Sequence, residues 1–200
     1  MSTESLSSQR ERRRTRLGIA VVVVCVVLQG ICLAWAFFVM RDVMGVGGMC
    51  AEGGPYEIAT PCPDGTWLLS LAIPVLVISM FVGSWVGMSV ATPTLLVPMW
   101  GLLFGLLGWN FLEFGLRDGI VWGWLVPGVL FEAMAAPALI VIAVTFVKSV
   151  RAGLPADERR KSSIHGTEVP AGSLWWWPAY VVLYAAGAYV GYVTYVAAAT

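Results

Sequence analysis

The chain has 200 residues, 58% of them hydrophobic and 12% charged; that balance lies far outside the averages of soluble domains. The formal net charge is zero, and no basic–aromatic surface points to nucleic acid as a partner. Five long apolar stretches leave too few residues for an independent soluble domain, so the chain reads as a basic cytoplasmic tail, 1–16, followed by a single transmembrane domain, 17–200.

The stretches run over about 17–40, 67–90, 95–114, 121–146 and 174–197. A helix needs about 20 mostly apolar residues to cross the hydrocarbon core, and each stretch reaches that length. The expected fold is therefore all-α: a polytopic bundle of five transmembrane helices. The first stretch follows a basic segment and contains Ala34-Trp35-Ala36, which resembles a cleavage site. Its apolar run exceeds the usual signal-peptide core of about 7–15 residues, so a retained anchor is expected. The tail, rich in Ser, Glu and Arg, is expected to be disordered or to lie on the anionic inner leaflet.

Charge sets the orientation. Arg10, Arg12, Arg13, Arg14, Arg16, Lys148, Arg151, Arg159, Arg160 and Lys161 all flank one side of the five stretches, ten in total, against Arg41 and Arg117 on the other. The positive-inside rule then places the N-terminus in the cytoplasm and, after five crossings, the C-terminus outside. The connections 91–94 and 115–119 are short enough to make their flanking helices antiparallel neighbours. The connection 148–172 is polar, with a charge run at 157–161, and is expected to be solvated. Trp67, Trp122, Trp124 and Trp175 to Trp177 open spans, and Tyr192 and Tyr195 close the fifth, as aromatic rings at headgroup level do.

The longest outer segment, 41–66, carries Cys50 and Cys62. Both fall on the oxidising side, where disulfides persist. Gly53, Gly54, Pro55 and Pro61 supply the turns that bring their ends together. A structural disulfide closing a loop of this size contributes about 3 kcal/mol in the chain-entropy picture. Cys25 and Cys32 stand about 10 Å apart along one helix and cannot bridge one another. The loop pattern Cys50-Ala-Glu-Gly-Gly-Pro-Tyr56 with Pro61-Cys62-Pro63 resembles that of uncharacterised small polytopic membrane proteins of high-GC Gram-positive bacteria. The resemblance implies a cell-membrane location and no activity.

Polar residues inside spans are the candidate site, because an ionisable group in hydrocarbon is costly unless paired or hydrated. Asn110 and Glu113 lie in the third span, Glu132 in the fourth. Glu113 is near the outer end, within reach of water or Arg117. Glu132 is about 15 Å of rise from the outer end of its span, near the midplane. Pro127 and Pro137 flank it, and Pro137 leaves the Ala133 carbonyl without its usual donor. Glu132 is expected either to be hydrogen-bonded to Asn110 or a Trp N–H, joining spans three and four, or to form a transporter-like proton or cation site. Small-xxx-small spacings at Gly83/Gly87, Gly101/Gly105 and Gly187/Gly191 suit close helix packing, within the bundle or between copies.

No phosphate-binding glycine loop, His-Glu-x-x-His or serine elbow occurs, and His165 stands without other metal ligands. The expectation is a non-enzymatic integral membrane protein with no cofactor and no metal. It would be an accessory or interaction subunit that presents the 41–66 loop, with the bilayer and another membrane protein or a second copy as partners. The alternative is a small proton- or cation-coupled transporter using Glu132.

Overall fold

A computed structural model describes residues 3–51, 60–117, 119–152, 163–164, 167–168 and 176–200. It contains α1 (Thr3–Gly45), α2 (Leu68–Ser89), α3 (Leu96–Leu116), α4 (Trp122–Ala152) and α5 (Trp176–Ala198). Strands β1 (Ser163–Ile164) and β2 (Thr167–Glu168) pair antiparallel as a two-residue ladder between α4 and α5. All five helices are long and apolar enough to cross a membrane.

The apolar stretches locate the helices, and chain chemistry sets their ends. The first helix overruns its apolar stretch in both directions. No glycine or proline interrupts 3–17, and its Ser, Glu, Gln and Arg residues propagate a helix once the apolar segment has nucleated it. Of the two expectations for the basic tail, disorder is replaced by helix from Thr3, and Arg12, Arg13, Arg14 and Arg16 are exposed on it. The helix stops at a glycine run. Gly47 and Gly48 take positive φ of 99° and 80°. Their N–H groups return to Met44 and Val43 carbonyls at 3.1 and 2.9 Å, the paired bonds that close a helix on a left-handed glycine. Arg41 and Asp42 therefore belong to α1 and not to the loop.

The connection after α2 is as tight as expected, but α2 and α3 touch only lightly, because α2 packs along α1 and α3 along α4. The chain reverses through Ala91 at φ 55°, and Pro93 blocks helix continuation before Thr94 accepts the Leu96 N–H at 3.3 Å.

In the bundle α1 is central. It packs along α2 on one side and α5 on another, and more lightly against α3; α3 and α4 form an antiparallel hairpin. Buried residues fall in three layers along α1. Val22, Cys25 and Val26 meet Leu95 and Tyr180; Cys32 and Leu33 meet Ala72, Leu76, Met80 and Met99; Val39 meets Leu68 and Tyr195. Helix α4 is outermost: 11% of its apolar window is buried inside the protein, against 44% for α1.

The glycine spacings act within this chain. A Cβ on Gly187 would sit 2.4 Å from the Val27 carbonyl oxygen, and one on Gly191 2.7 Å from that of Ile31. Backbones of α1 and α5 are in direct contact there, an approach only glycine permits. Gly83 faces Cys25 and Leu95, while Gly101 and Gly105 face Ala138, Leu139 and Ala135 of α4.

Candidate functional site

The polar groups form two separate arrangements on opposite sides of α3. The first gathers where α1, α3 and α5 end beside the disulfide. Arg41, in the last turns of α1, reaches α3 with both terminal nitrogens and donates to the Glu113 carboxylate at 2.5 and 2.7 Å. A third hydrogen bond goes from Arg41 to Asn110 Oδ1 at 3.2 Å. Asn110 is fully buried and its amide donates to the Phe37 carbonyl at 3.0 Å. Arg117, one turn beyond Glu113, donates to the same carboxylate at 3.2 Å. Phe37 and Phe114 lie 5.5 and 5.8 Å from the Arg41 guanidinium, within cation–π range. The neighbouring Asp42 accepts a hydrogen bond from Tyr195 of α5. Two consecutive residues thus hold α1 to α3 and to α5. A bidentate Arg–carboxylate pair fixes angle as well as distance, so this end of the bundle is rigidly registered.

Directly beyond it stands the loop. Cys50 and Cys62 are disulfide-bonded, with Cα atoms 4.8 Å apart. Ala51 donates to the Thr60 carbonyl at 3.1 Å, so the two strands of chain entering the bridge are paired. One flank packs on α4, where a Cβ at Gly48 would overlap the Trp124 ring; the other packs on α5, with Gly65 3.6 Å from Ala198 by the same measure. Residues 52–59, including Gly53, Gly54 and Pro55, lie outside the described residues.

The second arrangement is Glu132. Its side chain lies over Gly108 of α3, and a Cβ on that glycine would stand 2.7 Å from the Glu132 carboxylate. Small residues therefore line the hairpin where the carboxylate needs room. The expected hydrogen bonds are not made. Asn110 is taken by Arg41 and Phe37, and Trp100 Nε1 donates to the Met134 carbonyl at 3.1 Å, in the turn loosened by Pro137. Positions 110 and 113 lie roughly 140–200° around α3 from position 108, so the body of α3 separates Glu132 from Arg41 and Asn110. No described residue hydrogen-bonds to the half-buried Glu132 side chain. Pro127 and Pro137 both lie inside α4, which continues unbroken through them.

Arg41, Asp42 and Tyr195 were missing from the sequence-based candidate set. Arg41 stands one residue past its apolar stretch, where composition alone marks a loop, although it shares its end of the bundle with Glu113. A further pair also went unread. Gln29, fully buried in α1, accepts the Tyr184 hydroxyl of α5 at 2.5 Å, and its Nε2 has no hydrogen-bond partner. Cys25 and Cys32 are free and buried among apolar side chains, as expected of packing residues. Among the described residues no cluster of His, Cys, Asp and Glu could hold a metal ion.

The chain matches no family model, and no curated protein or solved structure is significantly similar to it.

Proposed function

We propose that this chain is a non-enzymatic multi-pass protein of the plasma membrane, N-terminus inside and C-terminus outside. It acts as an accessory or interaction subunit that presents the extracytoplasmic loop between α1 and α2 to a partner. The ten-to-two distribution of Lys and Arg supports the orientation, and five helices long and apolar enough to cross a membrane support the multi-pass reading. The observation that carries the functional reading is the way the loop is held. A disulfide closes it, Arg41 and Asp42 register its base against two helices, and its flanks rest on Trp124 and Ala198. Rigid presentation of a surface lowers the ordering entropy that binding must overcome.

A photocrosslinking amino acid at Met49, which is 83% exposed beside the bridge, tests this in the native membrane. The expected result is a discrete protein adduct that disappears when Cys50 and Cys62 are both serine. A control probe at Ile78, 62% exposed on the apolar side of α2, should give lipid adducts only. The same pattern from both positions, or no protein adduct from Met49, would overturn the reading.

A second reading, a small proton- or cation-coupled transporter, is favoured by one observation: an unpartnered carboxylate between two prolines near mid-span. In proteoliposomes with an internal pH dye it requires ion-driven proton movement that Glu132→Gln abolishes. Absence of such movement across a panel of ion gradients removes it.

A further inference from the structure

We propose that Glu132 is the recognition point for a partner transmembrane helix carrying a lysine or arginine near the middle of its span. The inference rests on the interaction-subunit reading and names the chemistry of the partner inside the membrane.

The argument begins with what Glu132 lacks. A carboxylate at this depth demands a counter-charge, a donor or water, and no described residue of the chain donates to it. Arg41 and Arg117, the two cations at the outer ends of the described helices, cannot serve. Arg41 is held by Glu113 and Asn110 on the far side of α3, and Arg117 by Glu113. A second copy cannot serve either, because none of the twelve Lys and Arg residues falls inside the five apolar stretches. A counter-charge for Glu132 would therefore come from a different chain.

The place fits such a visitor. Glu132 sits on the least covered helix, α4, which among the described helices packs mainly along α3. Beside it on the outward face run Val129, Ala133, Ala136 and Ile140, all exposed. Ala133 and Ala136 are small, which lets a second backbone come close. On the opposite flank Phe131 is occupied by Phe104 and Phe111 of α3, so the approach is from one side. Gly108 keeps the carboxylate low over α3, reachable from that side without blocking it. A lysine or arginine brought alongside would pair with the carboxylate, and each charge would satisfy the other within hydrocarbon.

The test uses the full chain, labelled with an acceptor dye at Thr200→Cys, in phosphatidylcholine vesicles. The probe is a donor-labelled single-span leucine-rich peptide with lysine at its centre; otherwise identical peptides carry leucine or glutamine there. A central position places the probe group at mid-membrane in either orientation. Energy transfer should show the lysine peptide binding at least about fivefold more tightly than the leucine peptide, as an interhelical polar contact in lipid allows. Glu132→Gln should reduce lysine binding to the leucine level, and Glu132→Asp, which keeps the charge, should retain most of the preference. The proposal is overturned if lysine and leucine peptides bind equally, if the preference survives in Glu132→Gln, or if the glutamine peptide matches lysine. The last outcome would identify a neutral partner. Crosslinking from Met49 reads loop presentation separately, so equal peptide binding would remove the basic partner helix and leave that reading standing.

Discussion

The Arg41–Glu113 pair gives the sharpest quantitative test of how the bundle is held. Its two side chains retain 25% and 28% of their exposure, between the limits for which magnitudes are known. Exposed pairs contribute about 0–1 kcal/mol, while breaking a buried one costs about 3–5 kcal/mol. Arg41→Met keeps much of the aliphatic stem but removes two bonds to Glu113, one to Asn110 and two ring contacts. Glu113 keeps Arg117 at 3.2 Å as a fallback, which limits the loss to about 2 kcal/mol. Glu113→Gln leaves Arg41 with an amide oxygen and Asn110, and should cost about 1–2 kcal/mol. Because both variants remove the same interaction, the double variant should fall short of their sum by about 1–2 kcal/mol. Equilibrium unfolding by sodium dodecyl sulfate in dodecyl maltoside micelles measures all three. If the two single effects add to the double within about 0.5 kcal/mol, the pair is solvated and the α1–α3 register comes from apolar packing alone.

Glycine substitutions should separate backbone contact from free space. Gly187→Val should destabilise by about 3 kcal/mol in the same assay, because its Cβ would stand 2.4 Å from a carbonyl oxygen of α1; Gly105→Ala, whose Cβ meets nothing nearer than 3.9 Å, should change stability by less than about 0.5 kcal/mol. Membrane-impermeant thiol reagents should label neither Cys50 nor Cys62 until the protein is reduced; labelling of both beforehand would refute the bridge. In intact cells Gln9→Cys should be protected from such a reagent and Thr200→Cys labelled, and a protected position 200 would refute the five-crossing orientation. Glu132→Gln should unfold within about 1 kcal/mol of the native chain, since no hydrogen bond to it is broken, and a loss above about 2 kcal/mol would mean the carboxylate holds the hairpin together.

The helices were legible because burial in hydrocarbon leaves a one-dimensional record. A run such as 67–90 must be apolar along its whole length, so its position follows from counting, and α2 spans Leu68–Ser89. The contacts between helices are recorded differently. They depend on which azimuth of one helix meets which azimuth of another, and a helix apolar all round carries no moment to show it. Depth alone made Asn110 and Glu132 plausible partners, yet they sit on opposite sides of α3, and the asparagine went to Phe37 and Arg41. The glycines marked faces without naming partners: Gly187 and Gly191 signalled a close approach, but α1 as the helix approached follows only from the fold. Where side chain and end signal coincide, more could have been read. Arg41 and Asp42 lie in the last turns of α1 at the level where Glu113 and Tyr195 near the ends of α3 and α5, and complementary polar groups brought to one depth by alternating helices are natural pairs. Glu132 has no such counterpart at its own depth in any of the five helices. The absence of an internal match, which the one-dimensional record does show, is the observation on which the proposed partner helix rests.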